Sequence, residues 1–434
     1  MSITIIGILF FVFGFVTWLN GPLIQFFQTS CELSPFEASL VTLSFYIAYF
    51  VMALPSSFLL KKMGYKNGLV IGLLVMAAGA LLFIPASYTR TFIIFLLGLF
   101  ILGTGLALLQ TAVNPFITII GNRESAAARI SAMGICNKLA GFLSPLLLTA
   151  MVMQGIGKLK EENLRTLTLY QRDSTLNEFA SRLIFPYAIL TIILIVFALI
   201  VKFSGLPDQI ETDDDKTKLK DFIKQIPHAL KNRHLLLGVI AIFLYVGAEV
   251  IAGDSLTQFG KYLKLDYSTT LTSYTMAFMV IGYILGIILI PRILKQSKAL
   301  LISSILGVAF AIGAIISSNL NNSFFNFMFG WLNCFSFINI PIIPNSVFFV
   351  TLLGLANALM WPSIWPLALN DIGKYTKIAS ALLIMGIVGG ALIPPSYARL
   401  GQGIGFQNAL WILIPCYLFI LYYAVKGHKV KYSN

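Results

Sequence analysis

Charge is what this chain has least of. Only 11% of its 434 residues are Asp, Glu, Lys or Arg, against 58% hydrophobic, too few ionic groups to coat a water-soluble protein of this size. A mean hydropathy of +0.87 likewise excludes a disordered chain. Histidine is scarcer still: His228, His234 and His428 have no metal-ligand spacing, no nucleophile stands in register with them, and no glycine-rich phosphate loop is present. An enzyme is therefore not expected, nor a cofactor or a metal. The four cysteines, Cys31, Cys136, Cys334 and Cys416, show no paired spacing and predict no disulfide. The opening residues MSITIIGILFF have neither a charged leader nor a small-residue cleavage site, so no removable signal peptide is expected and the first helix acts as its own insertion signal.

What is present is apolar sequence in about twelve runs, each near or above the ~20 residues that cross a bilayer as a helix: 5–28, 38–60, 67–87, 91–119, 126–152, 182–203, 234–259, 270–290, 297–318, 346–370, 377–397 and 405–425. The pattern predicts an all-α membrane protein. Of the 30 Lys and Arg, twenty fall on the side that carries both termini and nine on the other. By the positive-inside rule both termini are then cytoplasmic. The net charge of +13 and pI near 9.5 belong to that topology rather than to a nucleic-acid partner.

The chain is built twice. Segment 204–233, GLPDQIETDDDKTKLKDFIKQIPHALKNRH, is the one long charged stretch between spans and reads as a cytoplasmic linker between bundles at 1–203 and 234–434. GTGLALLQTAVNPF at 103–116 lines up with GLANALMWPSIWPL at 354–367, with Pro115 and Pro366 coinciding. In the next helix Ser131, Ala132, Gly141 and Pro145 match Ser380, Ala381, Gly390 and Pro394 at one constant offset. Parallel halves of this kind build many secondary transporters, with the site near the midplane between them.

Three formal charges lie deep inside the apolar runs: Lys138, Glu249 and Asp254. An intramembrane charge costs several kcal/mol and is a functional-site candidate by default. Lys138 and Glu249 both fall ~20 Å from the cytoplasmic end at 1.5 Å rise per residue, near the midplane. Two acids against one base leave a surplus negative charge that a proton or bound cation could neutralise, although such charges also pair for stability alone. Gln110 and Asn114 share one face of the fourth span, and Trp361 and Trp365 occupy the equivalent positions of its repeat mate. Amides offer donors and acceptors together and indoles offer flat faces, which suits a solute with many hydroxyls. Asn357, Asn137, Asn20 and Gln25 extend the candidate solute-binding set. The competing reading of each amide is hydrogen-bonded glue between helices. Asp371 and Arg129, near helix ends, read as interface or gate charges, and the uncharged aromatic segment 319–345 as one lying in the headgroup region or over the outer opening.

The stretches FGFVTWLNGPLI (13–24), FVMALPSSFLLKKMGYKNG (50–68), LQTAVNPFI (109–117), YVGAEVIAGD (245–254) and NALMWPSIWPLAL (357–369) make the chain resemble the fucose:proton symporter family of the major facilitator superfamily, most closely its glucose/galactose transporter branch. The resemblance implies two pseudo-symmetric six-helix bundles, alternating access, and import of a neutral hexose driven by Na⁺ or H⁺, by a monomer in the plasma membrane, here a bacterial inner membrane. An uncoupled sugar facilitator is the alternative, as is another sugar such as fucose, mannose or N-acetylglucosamine. The family's fucose symporter has an acid after the first-span asparagine and another opening the fourth-span motif; here those positions are Gly21, after Asn20, and Gln110. Neither can carry a proton at physiological pH. The fifth-span asparagine is kept as Asn137, followed by Lys138 where a small polar residue is expected.

Overall fold

The computed structural model describes residues 2–119, 126–154, 167–205, 224–290, 292–320, 322–323 and 343–429, with the side chains of 2–3, 61, 114–119, 126, 374 and 377 left aside. Most of the expected linker (206–223) and of the aromatic segment (324–342) lies outside them. Among the described residues the regular structure is entirely helical. Twelve helical segments are long and apolar enough to cross a membrane: Thr4–Ser30, Pro35–Leu60, Tyr65–Thr89, Phe92–Val113, Ala127–Val152, Leu169–Phe203, Arg233–Tyr262, Ser268–Leu289, Gln296–Ile316, Asn345–Ala368, Ile378–Ile404 and Phe406–Lys429.

The sixth span begins 13 residues earlier than its apolar run, at Leu169 rather than 182. Its first part, LYQRDSTLNEFAS, is polar and starts on a capping box in which Thr168 and Gln171 bond each other's backbone N–H. Ion pairs from Arg172 to Glu32 (2.8 Å) and from Asp173 to Arg90 (3.1 Å) tie it down. Hydropathy registers only the apolar remainder. A second capping box, Ser34 with Glu37, opens the second span with Pro35 in its first turn.

The packing repeats with a shift of six spans. The third span lies against the fourth and sixth, and the ninth against the tenth and twelfth; the first lies against the fifth, and the seventh against the eleventh. The two halves meet where the second span packs on the eleventh and the fifth on the eighth.

Several of the spans are interrupted, among them three that border the site. The first divides at Trp18–Leu19 and the tenth at Ala358–Leu359, in each case four residues before a proline, Pro22 or Pro362. Proline has no N–H for the carbonyl four residues back and its ring crowds that carbonyl, so the helix yields there. The seventh span, the first span's counterpart, carries a π turn at Ile251–Ser255, every residue of it buried; such turns insert an extra residue and often mark functional positions.

Candidate functional site

A cavity with roughly 730 Å³ of empty space, open solvent at its mouth included, lies between the halves. The first span supplies Phe10, Phe13, Thr17 and Trp18, the second Tyr46 and Tyr49, the fourth Gln110, and the fifth Asn137 and Lys138; from the other half come Tyr245, Glu249, Tyr283 and Trp361.

Its charged element is one ion pair. Lys138 Nζ donates to Glu249 Oε1 at 2.7 Å, and the two side chains are only 7% and 10% exposed. The ammonium also lies 4.2 Å above the Trp18 ring, close enough for cation–π attraction. The pair joins the fifth span to the seventh and so links the halves through the cavity wall. Gln110 Nε2 donates to the Tyr49 hydroxyl at 3.1 Å and Asn137 Nδ2 to the Phe10 carbonyl at 3.3 Å. Each bond uses one donor, so amide carbonyls remain for a solute. Asn137 reaches Phe10 because the first span runs hard against the fifth at Gly14, where a Cβ would come within 1.9 Å of the Asn137 carbonyl oxygen. Trp361 forms an aromatic wall beside Tyr245, ring centroids 6.4 Å apart, and stacks on Trp365 at 5.2 Å and 28°.

The expected site residues fall into three groups. Gln110, Asn137, Lys138, Glu249 and Trp361 line the cavity. Trp365 is fully buried behind Trp361, and Asn357, also buried, accepts from the Tyr417 hydroxyl at 3.0 Å. Gln25, Asn20 and Asp254 lie toward the end of the bundle away from the termini. The Asn114 side chain lies outside the described residues. Of the end charges, Arg129 is half-buried and Asp371 exposed. The tyrosines and Trp18 carry no compositional mark in the sequence, although Tyr46 and Tyr49 stand three apart and Tyr245 and Glu249 four apart, the spacings of one helical face. Among the described residues no group of three His, Cys, Asp or Glu could hold a metal ion.

The end away from the termini is closed by hydrogen bonds between the halves. Ser268 donates to Gln25 Oε1 at 2.9 Å, Lys261 to Gln28 Oε1 at 3.0 Å, Gln258 to the Pro35 carbonyl at 2.7 Å and Thr257 to the Gly21 carbonyl at 3.2 Å. Trp18 packs against Gly253 of the π turn on one edge and Gly141 of the fifth span on the other.

Residues 6–394 match the Major Facilitator Superfamily. The chain is 32% identical over 429 residues to the glucose/galactose transporter of Brucella abortus, covering 99% of this chain and 94% of that one. It is 25% identical over 421 residues to the L-fucose-proton symporter of Escherichia coli, covering 96% and 90%. The crystal structure of a Major Facilitator Superfamily transporter in the outward conformation superimposes with a TM-score of 0.75, at 24% identity and over 98% of each chain.

Proposed function

The chain belongs to the Major Facilitator Superfamily, and from that premise we propose that it imports a neutral hexose such as glucose or galactose, with a proton, by alternating access across the plasma membrane of a bacterium. It is a multi-pass membrane transporter and not an enzyme. The observation that carries the sugar reading is the cavity wall itself: amides with Tyr46 and Tyr49 on one side, the Trp361 face with Tyr245 and Tyr283 on the other, and an internally neutral Lys138–Glu249 pair. A pyranose needs many hydrogen-bond partners and a flat apolar contact, and brings no charge of its own. The names of the Brucella and Escherichia relatives point the same way. With both termini cytoplasmic, as the Lys and Arg bias argues, the hydrogen-bonded end faces outward and the conformation is closed to the exterior.

Counterflow in liposomes with a panel of unlabelled hexoses tests the substrate, and imposed proton and Na⁺ gradients test the coupling. No counterflow with any hexose would end the sugar reading. The uncharged Gly21 and Gln110 favour a second reading, an uncoupled facilitator, which predicts equilibration and no accumulation under either gradient.

Two substitutions probe the wall. Gln110→Ala removes hydrogen bonding of order 1 kcal/mol and should weaken sugar binding about fivefold; unchanged affinity by calorimetry for every transported sugar would return Gln110 to a purely structural role. Trp361→Ala should weaken binding about tenfold, from ~1–2 kcal/mol of lost aromatic contact, while Trp361→Phe keeps a flat face and costs less. Equal losses in the Ala and Phe variants, at matched protein levels, would argue against ring stacking.

A further inference from the structure

We propose that the coupling proton is carried by Asp254, at the contact between the π turn of the seventh span and the broken first span. The proposal rests on the reading of the chain as a proton-coupled transporter and locates the proton.

Asp254 is fully buried, and neither carboxylate oxygen has a hydrogen-bond partner among the described residues. An unpartnered carboxylate out of water costs several kcal/mol, whereas the protonated form costs far less. The charged and titratable groups facing it do not relieve that cost. The Lys138 ammonium of the fifth span is engaged by Glu249 at 2.7 Å and by the Trp18 ring. Glu249, on the seventh span itself, adds a like charge, and the second span contributes the neutral Tyr46 hydroxyl. From the first span the Gly21 N–H faces the carboxyl without closing a hydrogen bond of normal geometry. The eighth span brings Thr272, whose hydroxyl proton goes to the Gly253 carbonyl at 3.0 Å. In this conformation, therefore, the group is a neutral carboxylic acid.

Its position makes that protonation consequential. A Cβ on Gly21 would come within 3.2 Å of Asp254 Oδ1, so the acid sits directly against the first span. Asn20 beside it is also fully buried, with both amide atoms unpartnered. These are the surfaces that part when the closed end opens. In the open state the carboxyl meets water and can ionise. A proton from the outer solution, adding to the carboxylate to give the acid, removes the penalty for closing, because ligands that favour one state shift the equilibrium toward it. On the cytoplasmic side the acid gives its proton to water in the cavity when the Trp18 ring moves off Gly253 and lets water reach the carboxyl. Trp18, which borders the cavity and packs on Gly253, separates the carboxyl from the sugar site.

The test combines transport with infrared spectroscopy on purified full-length protein. In Asp254→Asn, sugar accumulation under a proton gradient should be lost while counterflow exchange continues. Without any sugar present, wild-type protein at neutral pH should show the C=O band of a buried protonated carboxyl, missing from Asp254→Asn. Should Asp254→Asn fail to reach the membrane, Asp254→Glu retains an acid and must move the band. Accumulation by Asp254→Asn under a proton gradient, absence of the band from wild type, or accumulation driven by Na⁺ alone would each overturn the proposal. Because the band is read without sugar, failure of the hexose assignment leaves a separate signature: no counterflow with the band intact.

Discussion

Lys138→Met is expected to destabilise the protein by about 3–5 kcal/mol, because it leaves the Glu249 carboxylate buried with no counter-charge. The ammonium now donates to that carboxylate at 2.7 Å, both side chains being at most 10% exposed, and no other cation among the described residues pairs with Glu249. Removing both charges should cost much less, since apolar groups of similar volume replace a buried pair with little loss and at times a gain. The double variant Lys138→Met/Glu249→Leu should therefore unfold at a higher temperature than Lys138→Met alone. Transport separates structure from function: the pair lines the cavity, so sugar exchange should stay impaired in the double variant even with stability regained. Thermal unfolding in detergent together with exchange on the same preparations decides it. Recovery of both would make the pair a static brace between the fifth and seventh spans.

Gly14→Val should be nearly as damaging, through backbone rather than charge. A Cβ at Gly14 would stand 1.9 Å from the Asn137 carbonyl oxygen and 2.8 Å from its Cα, and backbone atoms cannot swing aside as a side-chain tip can. The first span must move off the fifth. Overpacking of this kind costs about 1–3 kcal/mol and sometimes more, and here it also breaks the Asn137–Phe10 bond at 3.3 Å that holds one amide at the cavity. Gly14→Val should lower folded yield and abolish exchange. Gly403→Ala is the control: nothing lies within 4 Å of its Cβ position, so a helix-favouring alanine should stabilise by roughly 0.5–1 kcal/mol. Equal behaviour of the two variants in size-exclusion profile and exchange would refute the close-approach argument.

The fold was legible because bilayer length and charge asymmetry are crude constraints that a chain cannot satisfy by accident. Lys138 and Glu249 were visible for the same reason, as charges where hydrocarbon is the rule, and counting along each helix put them at one depth. The sixth span outruns its apolar stretch because its Leu169–Ser181 portion is polar. The tryptophan pair was half legible. Residues four apart are offset by about 40° around a helix, enough for Trp361 to face the cavity while Trp365 turns into the core. Tyrosines in an apolar segment break no compositional rule, so Tyr46, Tyr49, Tyr245 and Tyr283 gave no signal. Nor does depth alone tell a solute-binding amide from one such as Gln25, which bonds Ser268 across the halves. Least legible was the meeting of Gly21 with Asp254: an acid missing from the first span and one present on the seventh looked like separate facts, and only tertiary packing puts the carboxylate against the glycine.

The π turn at Ile251–Ser255 is a place where the seventh span can change length without turning its outer tip. The wide turn absorbs one extra residue locally instead of passing its rotation of about 100° to the helix beyond, so deleting one residue there would restore an ordinary α-helix in the same phase. Thr257, Gln258 and Lys261, which bond Gly21, Pro35 and Gln28, would stay on the same face, while the bulge that carries Asp254 would be gone. Over evolutionary time a single-codon deletion or insertion at the turn can therefore remove or restore that bulge in one step while the contacts of the tip stay in place.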